Sequence, residues 1–352
     1  MSQFHTLNIK DITRQTDQCV SITFDVPNHL KEEYKFKAGQ YITLKTDIDG
    51  KEVRRDYSLC TSPSSGNLTV AVKEVENGTF SKYANQVLNV GDTLDVAQPQ
   101  GRFTFTPDTS KTRTITAFAA GSGITPVLSI LKTVLEEEPN SKFVLVYGNK
   151  TLKDTIFLND LLDIQNKYSD RLTIQFLYSQ SQEKDALFGR IEKSTVNFIV
   201  KNKYKDVNID AFYLCGPEGM INTVKDVLAE NNIEDSKVFF ELFTTTSSVS
   251  VEDLEEVTDG TTSITVIVDD EEKTFTMSQQ QSVLEAALEQ DLDAPYSCQG
   301  GICSSCLARV KEGKATMRQN NILTDNEVAE GLILTCQAHP VSSKIIVDYD
   351  DI

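Results

Sequence analysis

Three cysteines, Cys298, Cys303 and Cys306, stand in the spacing C-x4-C-x2-C, and a fourth, Cys336, follows further along the chain. Four thiolates in that pattern suit a [2Fe–2S] centre, which needs three ligands from one tight loop and a fourth from elsewhere. The loop must bring its backbone N–H groups up to the sulfurs. Gly300, Gly301, Ser304 and Ser305 are small enough to allow that approach. A structural zinc site would favour paired C-x2-C units, and only one such pair is present. Disulfides fit poorly with seven cysteines, an odd count, and with an N-terminus that has no secretory pattern. A centre of this kind moves one electron at a time, so the rest of the chain is expected to say where the electrons come from.

Other stretches offer chemistry of a different sort. In Arg54-Arg-Asp-Tyr-Ser-Leu59, Arg55 suits a phosphate bidentately and Tyr57, two residues on, shares its side of a strand and can stack on a planar ring. Ser58 can hydrogen-bond a ring nitrogen. A plain surface strand would also explain this face. Lys73-Glu-Val-Glu-Asn-Gly-Thr-Phe-Ser81 can open a short helix at Gly78, with N–H groups for a pyrophosphate and the Ser81 hydroxyl beside them. An Asn-Gly turn leading into a helix reads equally well. Gly121-Ser-Gly-Ile-Thr-Pro126 starts like a dinucleotide fingerprint but has Pro126 where a third glycine belongs, so it departs from the usual pattern. Cys215-Gly-Pro-Glu-Gly-Met220 also lies between a strand and a helix. Cys215 is either a small buried hydrophobe or a group facing a cofactor. His5, His29 and His339 lack the spacing of cluster ligands and read as surface or structural residues.

The elements that must position these groups fall into three regions. Up to residue 107, alternating runs at Thr6–Ile12, Cys19–Val26, Tyr41–Lys45, Leu68–Val75 and Thr93–Ala97 are separated by turn residues, an antiparallel β pattern. From 112 to 243, strands at Arg113–Ala119, Phe143–Tyr147, Leu172–Tyr178 and Ala211–Leu214 alternate with helices at Val127–Glu137 and Met220–Asn231. That βαβ series implies a parallel sheet with ligands at the strand C-termini. Residues 244–262, rich in Ser, Thr and acids, read as a linker. The last region, 263–352, carries the hairpin Ile264–Val268 and Lys273–Met277, a helix Val283–Glu289, the cysteine loop, a strand Cys306–Val310, a turn at Lys311-Glu-Gly313 and a strand Lys344–Tyr349. The fold class is multidomain: an antiparallel flavin-binding β-barrel, a parallel-sheet α/β domain and a small α+β domain of β-grasp type.

The chain has 352 residues, enough for two or three domains with their own cores, and a net charge of −18 that makes nucleic acid and anionic membranes poor partners. Residues 263–352 hold 15 Asp/Glu against 6 Lys/Arg, a net of −9, which suits an electron carrier that meets a basic partner but also serves solubility. No stretch approaches the ~20 apolar residues needed to span a bilayer. The expected location is the cytoplasm, where free thiols and thiolate-bound iron are at home.

Arg55-Asp-Tyr-Ser58, Gly78-x-x-Ser81, Gly121-Ser-Gly-Ile-Thr-Pro126 and Cys215-Gly-Pro217, in this order, resemble the ferredoxin–NADP reductase superfamily, and the C-terminal plant-type cluster domain narrows the resemblance to reductases of multicomponent oxygenases. The resemblance implies FAD, with Arg55 on its phosphate, Tyr57 on its ring face and Ser58 at its N5 edge. It implies that Lys73, Gly78, Thr79, Phe80 and Ser81 hold the FAD pyrophosphate and that Phe243 lies at the other flavin face. It places Gly121, Gly123, Thr125, Pro126, Cys215, Gly216 and Pro217 at the nicotinamide half of the coenzyme, and Ser179 at the 2′-phosphate of NADP. Gln180 replaces the arginine common beside that serine, so NADH is possible as well as NADPH, with Lys150 or Arg190 available to compensate. Cys298, Cys303, Cys306 and Cys336 are the implied cluster ligands. The implied partner is an electron-accepting oxygenase, foremost a di-iron phenylacetyl-CoA epoxidase, with Rieske or membrane di-iron hydroxylases, or a passive ferredoxin-like role, as alternatives.

Overall fold

Alternation of apolar and polar side chains builds the first sheet. β1 (Phe4–Thr16), β2 (Cys19–Asp25), β3 (Tyr41–Ile48), β4 (Lys51–Ser58), β5 (Leu68–Lys73) and β6 (Thr93–Ala97) pair antiparallel in the order β4-β3-β6-β1-β2-β5. Val20, Ile22 and Phe24 of β2 point inward with Leu7, Ile42, Leu44 and Val70, while Cys19 and Ser21 point the other way. An isolated bridge between Leu59 and Val70 brings the two edges together and curls the sheet into a barrel. Asp49 and Gly50, both at positive φ (55° and 75°), supply the tight turn between β3 and β4. Helix α1 (Thr79–Gln86) follows β5.

The second sheet is parallel throughout. β7 (Thr114–Ala120), α2 (Ile124–Glu137), β8 (Lys142–Asn149), α3 (Leu158–Lys167), β9 (Leu172–Tyr178), β10 (Leu187–Phe188), α4 (Lys193–Asn197), β11 (Ala211–Cys215), α5 (Glu218–Glu230) and β12 (Val238–Glu241) follow in the chain. Their strand order is β10-β9-β8-β7-β11-β12. The order reverses between β7 and β11, so the turns after these two strands flank the crevice where ligands of such sheets bind. Phe103 and Phe105, just after the barrel strands, pack edge-on against Tyr213 of β11, and one apolar cluster runs from Cys19 and Cys60 to Val127, Leu131 and Leu145. Barrel and parallel sheet thus share a core and form one unit, Phe4–Phe243.

The second unit has its own core. β13 (Thr261–Val268), β14 (Glu271–Ser278), α6 (Val283–Glu289), β15 (Leu307–Glu312), β16 (Ala315–Met317), α7 (Asp325–Ala329), β17 (Leu332–Leu334), β18 (Ala338–Pro340) and β19 (Lys344–Asp348) build a five-stranded sheet, β14-β13-β19-β15-β17, and a small pair, β16-β18. Ser282 and Glu285 cap the start of α6 reciprocally. The computed structural model describes residues 4–243, 257–258 and 260–352. Most of the expected linker, 244–256 and 259, therefore lies outside the described residues. Its last two positions, Thr261 and Thr262, already belong to β13, and Thr262 is buried with its hydroxyl donating to the Ser342 carbonyl at 2.7 Å. The strand after the cysteine loop runs through Glu312, two residues into the expected turn, and Gly313 at φ 87° makes the turn.

Candidate functional site

The end of β4 and the end of the parallel sheet meet at Ser58. This serine is buried and its hydroxyl donates to Glu241 Oε2 at 3.2 Å. Glu241 ends β12 and pairs in register with Cys215, the last residue of β11. Burial raises the Glu241 carboxyl to about 8, opposed by the Ser58 hydroxyl and reinforced by the nearby Asp56 carboxylate. Burial, then Glu241, pushes the Cys215 thiol well up, so it stays a neutral thiol. Sequence reasoning missed Glu241. The only signal was an acid closing a short apolar strand next to Phe243, which packs at the edge of the shared core.

The remaining expected flavin residues lie around this point. Arg55 is exposed and bonds the Arg54 carbonyl at 2.6 Å. Tyr57 is half-buried, with its ring 5.5 Å from that of buried Phe80, and burial drives its phenol far up. Gly78 precedes α1, with exposed Thr79 as the first helical residue. A Cβ on Gly78 would stand 2.1 Å from Ser81 Oγ, so a larger residue there would have to displace the serine side chain. Ser81 Oγ in turn accepts the Val75 N–H at 3.2 Å. Lys73 reaches across to the parallel sheet: its Nζ lies 3.6 Å from where a Cβ on Gly121 would be. Gly121 itself has φ 55° and its carbonyl accepts from Tyr147 OH at 3.0 Å.

Gly123 sits hard against β11, since a Cβ there would lie 2.1 Å from the Cys215 carbonyl oxygen. A Cβ on Gly216 would come within 3.2 Å of Ala120. Thr125, buried at the start of α2, bonds the Ser122 carbonyl at 3.0 Å, and buried Pro126 occupies the first helical turn, where no N–H is needed. Pro217 is exposed ahead of α5. Thus the turns Gly121–Pro126 and Cys215–Pro217 come together at the switch point. Ser179 lies at the far side of the same edge, its N–H on the Asn149 carbonyl at 3.0 Å, and exposed Gln180 bonds the Lys150 carbonyl at 2.8 Å. Asn149 Nδ2 and Ser181 Oγ are out of contact with solvent and have no hydrogen-bond partner among the described residues. Orphaned polar atoms and glycine cradles along one sheet edge fit a polar dinucleotide.

In the second unit the four cysteines gather in two pairs. Cys298 and Cys303 sulfurs stand 3.1 Å apart. Cys306 and Cys336 lie within hydrogen-bond reach, and that contact holds the Cys336 thiol below and, with burial, the Cys306 thiol above the ordinary value. The Gly300 N–H donates to Cys298 Sγ at 3.3 Å. Among the described residues no three His, Cys, Asp or Glu side chains converge as ligands of one metal ion. Two pairs of thiols, three from the loop before β15 and one from between β17 and β18, are what two bridged irons require, so the donors fit a [2Fe–2S] cluster.

Comparison with known proteins follows the same division. Residues 6–105 match the oxidoreductase FAD-binding domain, 118–226 the oxidoreductase NAD-binding domain and 266–341 the 2Fe-2S iron-sulfur cluster binding domain. The chain is 38% identical to a subunit of the 1,2-phenylacetyl-CoA epoxidase of Escherichia coli (strain K12), over 99% of each chain. It is 32% identical to the ferredoxin reductase component of 3-ketosteroid-9-alpha-monooxygenase from Rhodococcus rhodochrous, over 97% of this chain and 96% of that one. Among solved structures it is similar in fold to phthalate dioxygenase reductase (TM-score 0.61, 23% identity, 98% of each chain). It also resembles 41% of an intact type IV self-sufficient cytochrome P450 monooxygenase (TM-score 0.72, 21% identity, 98% of this chain). The expected resemblance to oxygenase reductases is met. FAD, a nicotinamide nucleotide and a [2Fe–2S] cluster are its cofactors, and the chain belongs to the NAD(P)H-dependent flavin and iron–sulfur reductases that deliver electrons to oxygenases.

Proposed function

We propose that this reductase serves a di-iron phenylacetyl-CoA epoxidase in the cytoplasm and draws its electrons from NADPH. The observation that carries the proposal is the 38% identity over nearly the full length of the epoxidase subunit from Escherichia coli. The 32% identity to a steroid monooxygenase reductase favours, as a second reading, a reductase for another hydroxylase.

When bound, FAD would supply a hydride acceptor and a [2Fe–2S] cluster held by Cys298, Cys303, Cys306 and Cys336 would supply one-electron transfer. The chain's residues position and tune. Ser58 and Glu241, which meet at the ends of β4 and β12, would offer a hydroxyl and, when protonated, a neutral acid to a bound flavin ring. Arg55, Lys73 and the Gly78–Ser81 helix start hold phosphate oxygens, and Tyr57 covers a ring face. Gly123 packs closely on Cys215, and the two turns that carry them would receive the nicotinamide half. Asn149, Ser179 and Ser181 line the edge that receives the adenosine half. Hydride and electron transfer need no side-chain nucleophile, consistent with Cys215 remaining a buried neutral thiol.

The test is anaerobic purification of the tagged protein from its native cells, identification of what accompanies it, and assay of NADPH-dependent oxidation of phenylacetyl-CoA. Co-purifying epoxidase subunits with activity support the proposal. Companion subunits of another hydroxylase, with no turnover of phenylacetyl-CoA, overturn it in favour of the second reading.

A further inference from the structure

We propose that the side-chain amide of Gln337 is a redox-tuning hydrogen-bond donor to the sulfur of Cys336, held in that role by Arg318. The proposal rests on Cys336 being a cluster ligand. Gln337 is 2% exposed and follows that cysteine directly. Its Nε2 lies 2.8 Å from the Gln299 carbonyl, 3.0 Å from the Cys336 carbonyl and 3.6 Å from Cys336 Sγ. One N–H therefore serves the Gln299 carbonyl, and the other, given to the Cys336 carbonyl, is shared with Cys336 Sγ. Its Oε1 accepts from Arg318 Nε at 3.2 Å. With acceptors around the nitrogen and a cation at the oxygen, the amide has one chemically sensible orientation. The main chain fixes it further, since Gln337 N–H bonds the Leu334 carbonyl and Arg318 N–H bonds the Gln337 carbonyl, both at 2.8 Å. Gly301, at φ 68°, lets the loop lie on this side chain, because a Cβ there would come 3.1 Å from Gln337 Cγ.

The direction of the effect follows from charge. Adding one electron to a thiolate-bound cluster raises the negative charge on its sulfurs. A donor to such a sulfur then stabilises the reduced form more than the oxidised one. The Arg318 cation beyond the amide polarises it in the same sense. Gln337 is a positioning and tuning residue that touches a ligand, not the electron path itself.

The test is an EPR-monitored potentiometric titration of the holoprotein, with labile sulfide measured to confirm cluster content. Gln337→Met keeps the volume and removes the donor. The equilibrium constant for one-electron reduction of the cluster is expected to fall about threefold to tenfold, tenfold being ~59 mV for a one-electron couple. Pulsed EPR of protein carrying 15N at the glutamine side-chain amide should show a coupling that Gln337→Met abolishes. Arg318→Met should shift the potential the same way by less, and its effect should shrink in the Gln337→Met background. A purely structural Gln337 would alter cluster content and leave the potential of the loaded fraction unmoved, which overturns the proposal. If Gln337→Met assembles no cluster, Arg318→Met decides, and an unchanged potential there overturns it as well. A Cys336→Ser variant with an unaltered cluster signal would remove the ligand assignment beneath the proposal and the proposal with it.

Discussion

Glu138 is buried and Glu241 partly so, and their neighbours decide their charge. Glu138 is fully buried, which alone would raise it, but Arg113, the Ser141 hydroxyl at 2.6 Å and the Asp108 N–H at 2.8 Å outweigh burial and keep it ionised. Glu241 has only Ser58 to lower it and rises to about 8. Between the unfolded value of 4.5 and about 8, the folded protein keeps a proton that the unfolded chain has lost. Stability from this group is complete below 4.5 and is lost as pH rises toward 8. Wild type should therefore lose melting temperature relative to Glu241→Gln as the pH is raised from about 5 to about 8, and parallel curves would refute the assignment. His339 works in the opposite direction. It is 1% exposed, its Nδ1 is 3.2 Å from the Gln279 carbonyl, and burial lowers it from 6.5. Its contribution is present above 6.5 and fades as pH falls, so acid should destabilise wild type more than His339→Gln in the melting of the cluster unit. Cys303→Ser should keep NADPH-to-dye turnover and lose delivery to the natural acceptor; unchanged delivery would exclude a relay through the cluster. The cysteine spacing and the Arg-x-Tyr-Ser run were legible in the chain. Glu241 and Gln337 were not, because a residue's value there depends on strands distant in sequence that only the fold brings beside it.

At the scale of elements, α2 and the segment entering β7 are joined by one charged knot. Arg113 pairs with Glu138, stacks 4.7 Å over Phe105 and donates to the Thr106 carbonyl, while Arg171 bonds the carbonyls of Leu135 and Glu138 at 2.7 and 2.9 Å. Glu138→Ala leaves the guanidinium without its partner and should cost on the order of 3 kcal/mol, read as a lower urea midpoint. Gly123→Ala forces β11 and α2 apart at the crevice. We expect a raised KM for the nicotinamide coenzyme with flavin content retained; an unchanged KM would place the nucleotide elsewhere. Helices with strong periodicity were readable, and α6 falls on the expected Val283–Glu289. The barrel strands were readable from alternation. α3 was missed because LNDLLDIQNK, though its apolar residues recur at helical spacing, is polar overall and buries only Leu161. The short β16, β17 and β18, three residues each, carry too few positions for a period to show.

For the whole molecule, the order of motifs in the chain was enough to give the order of its parts, while the shared core of barrel and parallel sheet was not, since Cys19, Cys60 and Phe103 look like ordinary strand residues until α2 covers them. The net charge of −18 predicts that reduction of a basic acceptor slows severalfold as ionic strength rises from about 0.05 to about 0.5 M; salt-independent rates would mean that encounter is not steered by this charge. The cluster unit has a further property. Its central strands β13 and β19 are parallel neighbours, pairing Ser263 with Lys344 and Ile267 with Asp348, and everything between them in sequence includes all four cysteines. No local hairpin can close that pairing, so the search for it is slow and long-range. Nearer in sequence, β15 and β17 pair antiparallel, Leu307 with Leu334, and the Thr335 N–H on the Cys306 carbonyl sets Cys336 beside the cysteine loop. A cluster held by those thiols would tie the two strands together, so metal shortage should leave a looser unit that a protease removes faster.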